Sequence, residues 1–387
     1  MSCHASQRRG TKLCVRGVLL VLAIAIGSTL FAYAAFAPTN HTARLPHLSM
    51  RAHPQVFRHG DRTPTETYPK DPYLHYEWPE GWGALTKKGM LEMYNLGRWI
   101  REKYGPTIGK RYESKLSYIW SSYADRCIMS AQTLLAGLFP TSLEDTFLPG
   151  LAWRPVPVHS IPRSLDKVIV VKAPCPRLEQ ALKEAYANNT IESGTWLIDY
   201  CRQLSFHTGQ NITTITDVEF LYNTLEIEEQ NGLKLPEWTK KFYNETMRSI
   251  AARSLAIFTS NALQRRLRGG PLLKEIMQHF QDRQSGRDQR IAYFYSAHDI
   301  TLVNLLRTMG LADETLKPDY GATVIFELHT IDDPQDRVVK VLYLNSAEAA
   351  ETRPIEIPHC ATPCRLTALT SLWESVLPQN WDEECRL

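Results

Sequence analysis

Strand-like and helix-like segments alternate at both ends of this 387-residue chain and enclose a long helical middle. The N-terminal part carries two strand patterns and two helix patterns in alternation, at residues 55–57, 85–104, 117–120 and 124–138. The C-terminal part continues with a strand, a helix and two paired strands, at residues 291–297, 300–309, 323–329 and 338–345. This order predicts an α/β fold, with a mixed, mostly parallel sheet flanked by helices and a large helical insertion.

The same order divides the chain into parts. Residues 45–150 and 285–387 are expected to form one α/β domain from two separate segments. Residues 151–284 are expected to form a mainly helical insertion domain, which begins with a connection rich in Pro and Val. In an open α/β sheet, ligands bind where strands end and helices begin, so the junctions after residues 57 and 297 are the first places to search for a site.

Residues 1–37 have the features of a secretory signal peptide. Their N-terminal part is basic without any acidic residue, and an apolar run from Val18 to Ala37 follows. About twenty apolar residues can also just span a bilayer, so an uncleaved type II signal anchor is the alternative. The small residues at Ala32, Ala34 and Ala37 fit a cleavage site and favour cleavage. In both cases the rest of the chain is expected in the lumen or outside the cell.

Other features agree with the secretory pathway, either a secreted protein or a lysosomal one. The chain has four N-glycosylation sequons, at Asn40, Asn188, Asn211 and Asn244. No second apolar run occurs near the C-terminus, so no C-terminal membrane anchor is expected. An even number of cysteines remains outside the leader, at Cys127, Cys175, Cys201, Cys360, Cys364 and Cys385. In an oxidising compartment, such a set predicts disulfides.

The cysteines near the C-terminus have an alternative role. His359 and Cys360, together with Cys364 and Cys385, could in principle hold zinc. The secretory setting and the short spacing between Cys360 and Cys364 at a Pro-rich turn favour a local disulfide instead.

The charge of the chain limits its partners. The formal net charge is +3, and the leader alone contributes four basic residues and no acid. The remainder is close to balanced, so no global field favours nucleic acid or an anionic membrane. An anionic substrate would therefore have to be bound by a local cluster of basic residues.

Such a cluster occurs after the first strand, in the segment Arg58-His59-Gly60-Asp61-Arg62-Thr63-Pro64. Two guanidinium groups flank one histidine, and guanidinium forks match the oxygens of a phosphate group. The histidine between them could act as nucleophile, base or hydrogen-bond donor. The glycine allows a ligand to approach the backbone closely.

Two weaker signals lie at other strand ends. His298 and Asp299 follow the strand at 291–297, although an aspartate there could simply cap the next helix. Arg126 starts the helix that follows the strand at 117–120, where a lone arginine is normally a surface residue. Both signals gain weight because parallel strands end at one edge of a sheet.

Several further motifs follow in order along the chain. They are Leu85-Thr86 with Gly89-Met90, Ala124-Asp125-Arg126, Met129-Ser130-Ala131, Pro155-Val156-Pro157-Val158-His159, Cys175-Pro176-Arg177, Tyr295-Ser296-Ala297-His298-Asp299 and Leu377-Pro378-Gln379-Asn380-Trp381. With the Arg58 segment, they make residues 56–385 resemble the histidine acid phosphatases, particularly the prostatic and lysosomal branch. The resemblance implies a phosphoglycerate mutase-like fold, a homodimer, and hydrolysis of phosphate monoesters without a metal or another cofactor.

The resemblance also implies roles for individual residues. His59 would attack phosphorus and form a phosphohistidine, and Asp299 would protonate the leaving alcohol. The phosphoryl oxygens would be bound by Arg58, Arg62, Arg126 and His298. Two disulfides are implied, Cys175 with Cys385 and Cys360 with Cys364. Cys127 and Cys201 are additional, and either pair with each other or stay free and buried.

The chain also departs from the family pattern. His53, Pro54 and Gln55 are poor residues for a strand core, so we expect the first strand to start late or the edge of the site to be loose. Asn223 and the Ala322-Thr323 region stand where the family has a further cysteine pair. Thr216 lies near the position of an aromatic residue at the substrate mouth, so the leaving-group preference does not transfer.

Other functions remain open at this stage. A catalytically weak phosphate-ester binding protein or pseudoenzyme of the same fold is the main alternative, and Pro54 supports it. A phosphomutase or a phytase-like enzyme is a second alternative. A third is a two-metal phosphatase, with candidate ligands at His53, His59, Asp61, His298 and Asp299. A two-metal site needs more carboxylate, Asn and His ligands than these five residues supply.

Overall fold

An eight-stranded mixed sheet is the framework of residues 49–142, 146–331 and 337–387, which are the residues that the computed structural model describes. The strands are β1 (Ser49–Arg58), β2 (Ser117–Ser121), β3 (His159–Ser160), β4 (Ala292–Ala297), β5 (Thr323–Thr330), β6 (Arg337–Leu344), β7 (Arg353–Ile355) and β8 (Cys364–Arg365). Their order is β3-β2-β4-β1-β5-β6-β7, and β8 pairs with β6. The strands β3, β2, β4 and β1 form a parallel core, and the remaining pairings are antiparallel. The predicted mixed sheet is therefore confirmed.

Helices cover both faces of the sheet. The α-helices are α1 (Lys87–Ile108), α2 (Asp125–Leu138), α3 (Pro176–Thr208), α4 (Ile215–Gln230), α5 (Thr239–Phe242), α6 (Glu245–Ala256), α7 (Ala262–Gln264), α8 (Gly270–Ser285), α9 (Asp299–Thr308), α10 (Leu366–Trp373) and α11 (Trp381–Glu384). Successive side chains of a strand point to opposite faces, so Phe57 packs with α1 and α2, whereas Val56 packs with α8, α9 and α10. Thr86 caps α1 by accepting a hydrogen bond from the amide of Gly89 at 3.0 Å.

The middle of the chain is helical, as the sequence predicts. Helices α3 to α7 follow one another between β3 and β4, and α3, α4 and α6 share their own apolar cluster around Leu204, Leu225 and Met247. The boundaries proposed for a separate insertion domain, at 151 and 284, stay a prediction.

The expected late start of the first strand is wrong. Strand β1 begins at Ser49 and runs through Pro54 to Arg58 between β4 and β5. The amide of His53 donates to Ile291 on the β4 side, so Pro54 lacks its donor only on the β5 side. Pro54 still lies opposite Tyr293, and pairing with β5 is in place from Gln55, opposite Ile325. The loss of one hydrogen bond therefore does not interrupt the strand.

Both implied disulfides are present, Cys175–Cys385 and Cys360–Cys364. The three cysteines proposed as zinc ligands, Cys360, Cys364 and Cys385, are therefore in disulfides and cannot bind zinc as thiolates. Cys127 and Cys201 are free and buried, so the alternative in which they pair is wrong.

The remaining expectations about the secretory pathway are tested only in part. Asn188, Asn211 and Asn244 are exposed, whereas Asn40 and the whole of residues 1–37 lie outside the described residues. Among the described helices, none combines the length and the apolar character that a bilayer span needs.

Candidate active site

The parallel pairing of β1 with β4 brings the two strongest sequence signals together. Arg58 and Ala297 are register partners at the carboxyl ends of these strands, so His59 and His298 leave the sheet side by side. Their ring centroids are 5.4 Å apart. Strand β2 pairs with β4 on its other side, and α2 after it brings Arg126 to the same edge. The residues that the sequence singled out at three strand ends therefore lie in one place.

His59 is held with one ring nitrogen facing the cluster. Its Nδ1 lies 2.8 Å from the carbonyl oxygen of Gly60, which can only accept, so the proton is on Nδ1. Its Nε2 accepts a hydrogen bond from Nε of Arg126 at 3.1 Å. Nε2 is thus the ring nitrogen that carries the lone pair, which accepts from Arg126 as long as no electrophile takes the place of that donor.

The pKa of His59 lies well below its ordinary value. Burial is the largest cause, and the positive charges of Arg126 and Arg58 add to it. An ordinary histidine is protonated at pH 5 and cannot act as a nucleophile. His59 keeps its lone pair in acid because its surroundings disfavour a further positive charge.

Arg58 is fixed on three sides. One terminal nitrogen donates to the carbonyl oxygen of Pro318 at 2.7 Å, and the other lies 3.0 Å from Oδ2 of Asp299. Its guanidinium carbon is 4.1 Å from the ring centroid of Tyr320. Since this side chain is only 4% exposed, its position is well defined before a ligand arrives.

Asp299 is the first residue of α9, after the N-cap residue His298, and its two carboxylate oxygens have different partners. Its Oδ1 accepts a hydrogen bond from the amide of Ile300 at 2.7 Å, while Oδ2 pairs with Arg58. Burial alone would raise the pKa of Asp299, but the positive charges of Arg58 and Lys317 lower it below the ordinary range. In the free protein, Asp299 is therefore ionised.

His298 and Arg126 complete one side of the cluster. Nε2 of His298 lies 2.9 Å from the hydroxyl oxygen of Ser122, and its Nδ1 lies 3.4 Å from a terminal nitrogen of Arg126. Because the guanidinium can only donate, Nδ1 accepts and Nε2 carries the proton. Burial, followed by the charge of Arg126, lowers the pKa of His298 well below its ordinary value.

The turn after β1 depends on a close backbone approach. A Cβ atom on Gly60 would lie 2.5 Å from the carbonyl oxygen of Gly89, at the start of α1. The side chain of Asp61 accepts a hydrogen bond at 2.5 Å from Thr86, the N-cap residue of α1. Arg62 follows, buried, and one terminal nitrogen donates to the carbonyl oxygen of Thr63 at 2.9 Å. The glycine and aspartate therefore shape the turn, which leaves the arginines and the histidine for a ligand.

The candidate ligands of the two-metal alternative do not all converge, because two of the five face away from His59, His298 and Asp299. His53 lies inside the sheet and stacks on Tyr104 at 4.6 Å, away from His59. Asp61 is engaged by Thr86. In the part of the chain that the structure describes, no three His, Cys, Asp or Glu side chains are grouped in a way that could hold a metal ion.

Three residues near the cluster were not predicted. Tyr320 supports Arg58, and its ring centroid is 5.9 Å from that of His59. The charge of Lys317 acts on Asp299, and Glu219 on α4 is also coupled to Asp299 by charge. Each approaches from a distant part of the chain without a local motif, so no signal in one sequence could have identified them.

Comparison with known proteins agrees with this geometry. The sequence pattern of the histidine phosphatase superfamily (branch 2) matches residues 54–344. Lysosomal acid phosphatase of Homo sapiens is 34% identical over 351 residues, which cover 88% of this chain and 81% of that protein. Prostatic acid phosphatase of Rattus norvegicus is 33% identical over 338 residues, which cover 85% of this chain and 87% of that protein.

The fold has solved relatives as well. The structure of the phytase from Citrobacter braakii superimposes with a TM-score of 0.64, covering 88% of this chain and all of that one. The sequence identity is only 17%, so this likeness concerns the fold alone.

Proposed function

Because the chain belongs to branch 2 of the histidine phosphatase superfamily, we propose that it hydrolyses phosphate monoesters through a phosphohistidine at His59. The proposal is supported above all by the protonation and the orientation of the His59 ring. It is buried, its proton is on Nδ1, and its Nε2 faces a cluster of guanidinium groups.

The first step transfers the phosphoryl group to the protein. Arg58, Arg62, Arg126 and His298 bind the non-bridging oxygens and neutralise their charge. Nε2 of His59 forms a bond to phosphorus while the bond from phosphorus to the ester oxygen breaks. Asp299 donates a proton to that oxygen, so the alcohol leaves in its neutral form.

The second step returns His59 to its starting state. A water molecule gives a proton to the Asp299 carboxylate and attacks phosphorus, and the bond to Nε2 breaks. Imidazole is a fair leaving group, which is why a histidine can divide the hydrolysis into two transfers. Inorganic phosphate then leaves the arginine cluster.

Acidic solution favours this chemistry for two reasons. His59 stays neutral in acid because burial and the arginines lower its pKa. Asp299 is ionised in the free protein, so it must acquire a proton when the substrate is bound. A phosphate ester competes with Asp299 for Arg58, and because its second pKa is about 6, the ester itself carries a proton in acid.

The binding-protein alternative has lost its support. It depended on an interrupted strand before the Arg58 segment, but β1 is continuous up to Arg58. We therefore keep the enzyme as the single proposed function, with no metal or other cofactor in any step.

The test is hydrolysis of p-nitrophenyl phosphate from pH 3 to 9, with and without EDTA, combined with rapid quenching to trap a phosphorylated protein. We expect acid-favoured turnover that EDTA does not change, and a phosphoenzyme that is stable in base and labile in acid, as a phosphohistidine is. His59→Ala should show neither signal while keeping the near-ultraviolet circular dichroism of the wild type. No turnover by the folded wild-type chain, or loss of turnover in EDTA, would contradict the proposal.

We also propose that the protein acts in the secretory pathway, as a secreted or lysosomal glycoprotein. The two disulfides and the exposed Asn188, Asn211 and Asn244 support this location. In a secretory cell, removal of N-glycans should increase gel mobility, and Asn→Gln at each site should remove one step of that change. A chain that carries no glycan and stays in the cytosol would contradict it. The homodimer stays a prediction.

A further inference from the structure

A pocket of about 350 Å³ lies at the C-terminal end of α9, and no step of the proposed reaction uses it. Its volume is within the usual range of small-molecule sites. Three basic side chains line it, and its other walls are mostly apolar. We propose that this pocket binds a small organic anion, with a carboxylate between two arginines and an apolar body against the remaining wall. The residues that the argument uses are Arg265, Arg307, His359, Met309, Leu372 and Trp373.

The pocket is separate from the catalytic cluster. Asp299 is the first residue of α9, and Arg307 lies eight positions later on the same helix. With a rise of 1.5 Å per residue, these two positions are about 12 Å apart along the helix axis. The inference therefore goes beyond the proposed reaction and does not depend on it.

The two arginines are held on either side of Thr259. Nε of Arg307 donates a hydrogen bond to the Thr259 hydroxyl at 3.1 Å, and a terminal nitrogen of Arg265 donates to the Thr259 carbonyl oxygen at 3.5 Å. The hydroxyl of Thr308 donates to the carbonyl oxygen of Arg265 at 3.3 Å. These bonds join the chain around residue 259, the segment that carries Arg265 and the end of α9. Two guanidinium groups are thus fixed near each other before a ligand binds.

The backbone that carries Arg265 is unusual. Residues Arg265–Gly269 form a π-helical turn between α7 and α8. A Cβ atom on Gly269 would overlap the side chain of Thr308, so this turn packs directly on α9. Single π-helical turns are rare and are often found at functional sites.

The positive charge of the pocket is not balanced by its lining. Among the described residues, the lining contains no Asp or Glu, and Arg265 forms no ion pair. The next residue differs, since Arg266 binds both carboxylate oxygens of Glu384 at 2.6 and 2.9 Å. Arg307 has one acidic neighbour, Glu314, at 3.8 Å, and that side chain is 58% exposed. A carboxylate placed between Arg265 and Arg307 would therefore offset the repulsion of two like charges, and guanidinium forks match its two oxygens.

The apolar wall determines what else the ligand must carry. Met309 and Trp373 are each only 2% exposed, and they belong to the core that packs between the sheet and its helices. Leu372 is half-buried beside them. Hydrocarbon groups gain free energy when they leave water for such a wall, whereas a hydrated inorganic ion does not. The pocket therefore fits an anion with an apolar body better than phosphate alone.

The experiment is isothermal titration calorimetry of the full chain with 4-phenylbutyrate at pH 6.5, where the probe is ionised. We expect saturable binding to one site. The alcohol 4-phenylbutan-1-ol has the same apolar body without the charge and should bind at least about tenfold more weakly. Arg265→Met should weaken binding of the carboxylate by at least about tenfold, and Arg265→Lys, which keeps the charge but not the fork, should weaken it less.

A matched control removes the same charge elsewhere. Arg202 forms a surface ion pair with Asp199 at 2.7 Å and is 73% exposed, so Arg202→Met should leave the binding of 4-phenylbutyrate unchanged. Arg265→Met should hydrolyse p-nitrophenyl phosphate as the wild type does. If Arg265→Met does not fold, Ala312→Glu replaces it. This variant adds a negative charge at an exposed position of the lining and should weaken binding by a similar factor.

Inorganic phosphate separates the two sites. It should occupy the catalytic arginines and should not displace 4-phenylbutyrate. Displacement by phosphate, no saturable binding to the folded chain, equal binding of the alcohol, or undiminished binding to Arg265→Met would each overturn the inference. None of these results would affect the proposed phosphatase reaction, which is tested by turnover and by the phosphoenzyme.

Discussion

Two buried histidines lie on strand β1 and directly after it, and their surroundings differ. His53, in the middle of the sheet, stacks on Tyr104, and its Nδ1 lies 3.1 Å from the side-chain nitrogen of Gln55. His59, just after the strand, is bound by a backbone carbonyl on one side and by Arg126 on the other. Both rings are almost inaccessible to solvent, yet only the second lies among guanidinium groups.

The difference between the two histidines lies in the neighbouring charges. Burial lowers the pKa of His53 to about 4, and the nearby Glu327 works against that decrease. Burial also lowers the pKa of His59, but there the arginines lower it further. The comparison shows that burial alone is enough to keep a histidine neutral. The arginines add a positive field, which both preserves the nucleophile in acid and attracts the phosphate.

The largest effect in this comparison is expected from Arg126→Ala. It should lower kcat/KM by about 10²- to 10³-fold, because one group that stabilises the transferring phosphoryl charge is lost. The pKa of His59 should rise when this positive charge is removed, so the acidic limb of the profile should move to higher pH. The measurement is the pH dependence of p-nitrophenyl phosphate hydrolysis. An unchanged acidic limb would show that Arg126 does not set the protonation of His59.

Around His53, Glu327→Gln should affect the stability of the fold rather than catalysis. Glu327 accepts hydrogen bonds from Tyr104 at 2.7 Å and from His329 at 2.9 Å. We expect a loss of about 2 kcal/mol in the free energy of unfolding at pH 7, measured in urea, with kcat unchanged.

The pH dependence of that loss gives a second check. Burial alone would raise the pKa of Glu327, but the hydrogen bonds from His329 and Tyr104 lower it. A lowered carboxyl pKa stabilises the fold above the unfolded value and loses this contribution as the pH falls through the folded value. The difference between Glu327→Gln and wild type should therefore shrink below about pH 4.5. A difference that stays constant from pH 7 to pH 3 would refute this assignment.

His53→Phe should have the smallest effect. Phenylalanine keeps the flat ring against Tyr104 and removes a buried Nε2 that has no hydrogen-bond partner. The amide of Gln55 loses its partner, so we expect a change of about 1 kcal/mol or less in unfolding and no change in the pH profile. If His53→Phe lowered activity more than tenfold, the two histidines would not be independent.

The sequence predicted most of the fold, with one instructive error. The alternation of patterns placed β2, β4, β5 and β6 close to their observed bounds, because each carries a run of apolar residues. The prediction from sequence patterns was wrong at the start of β1, because polar side chains and Pro54 are not typical of a buried strand. These side chains are buried because partners from β4, β5 and α1 supply contacts that local propensity does not show.

The site was predicted as far as its motifs extend. His59, His298, Asp299 and Arg126 all follow strand ends, so their convergence could be inferred from a parallel sheet. Tyr320 could not be found in this way. It follows a loop and precedes β5, and its importance arises only from the ring that it places beneath Arg58.

The disulfide between Cys175 and Cys385 joins residues 210 positions apart and spans everything from α3 to the C-terminal end. His59 and Arg126 lie before this covalent ring, whereas Asp299 lies within it. A protease that cuts one loop between α3 and β4 would therefore leave the nucleophile and the acid on different fragments that remain linked. Such a nicked protein should migrate as one band without reductant and as two with it. It should also keep its activity for as long as the bridge is intact.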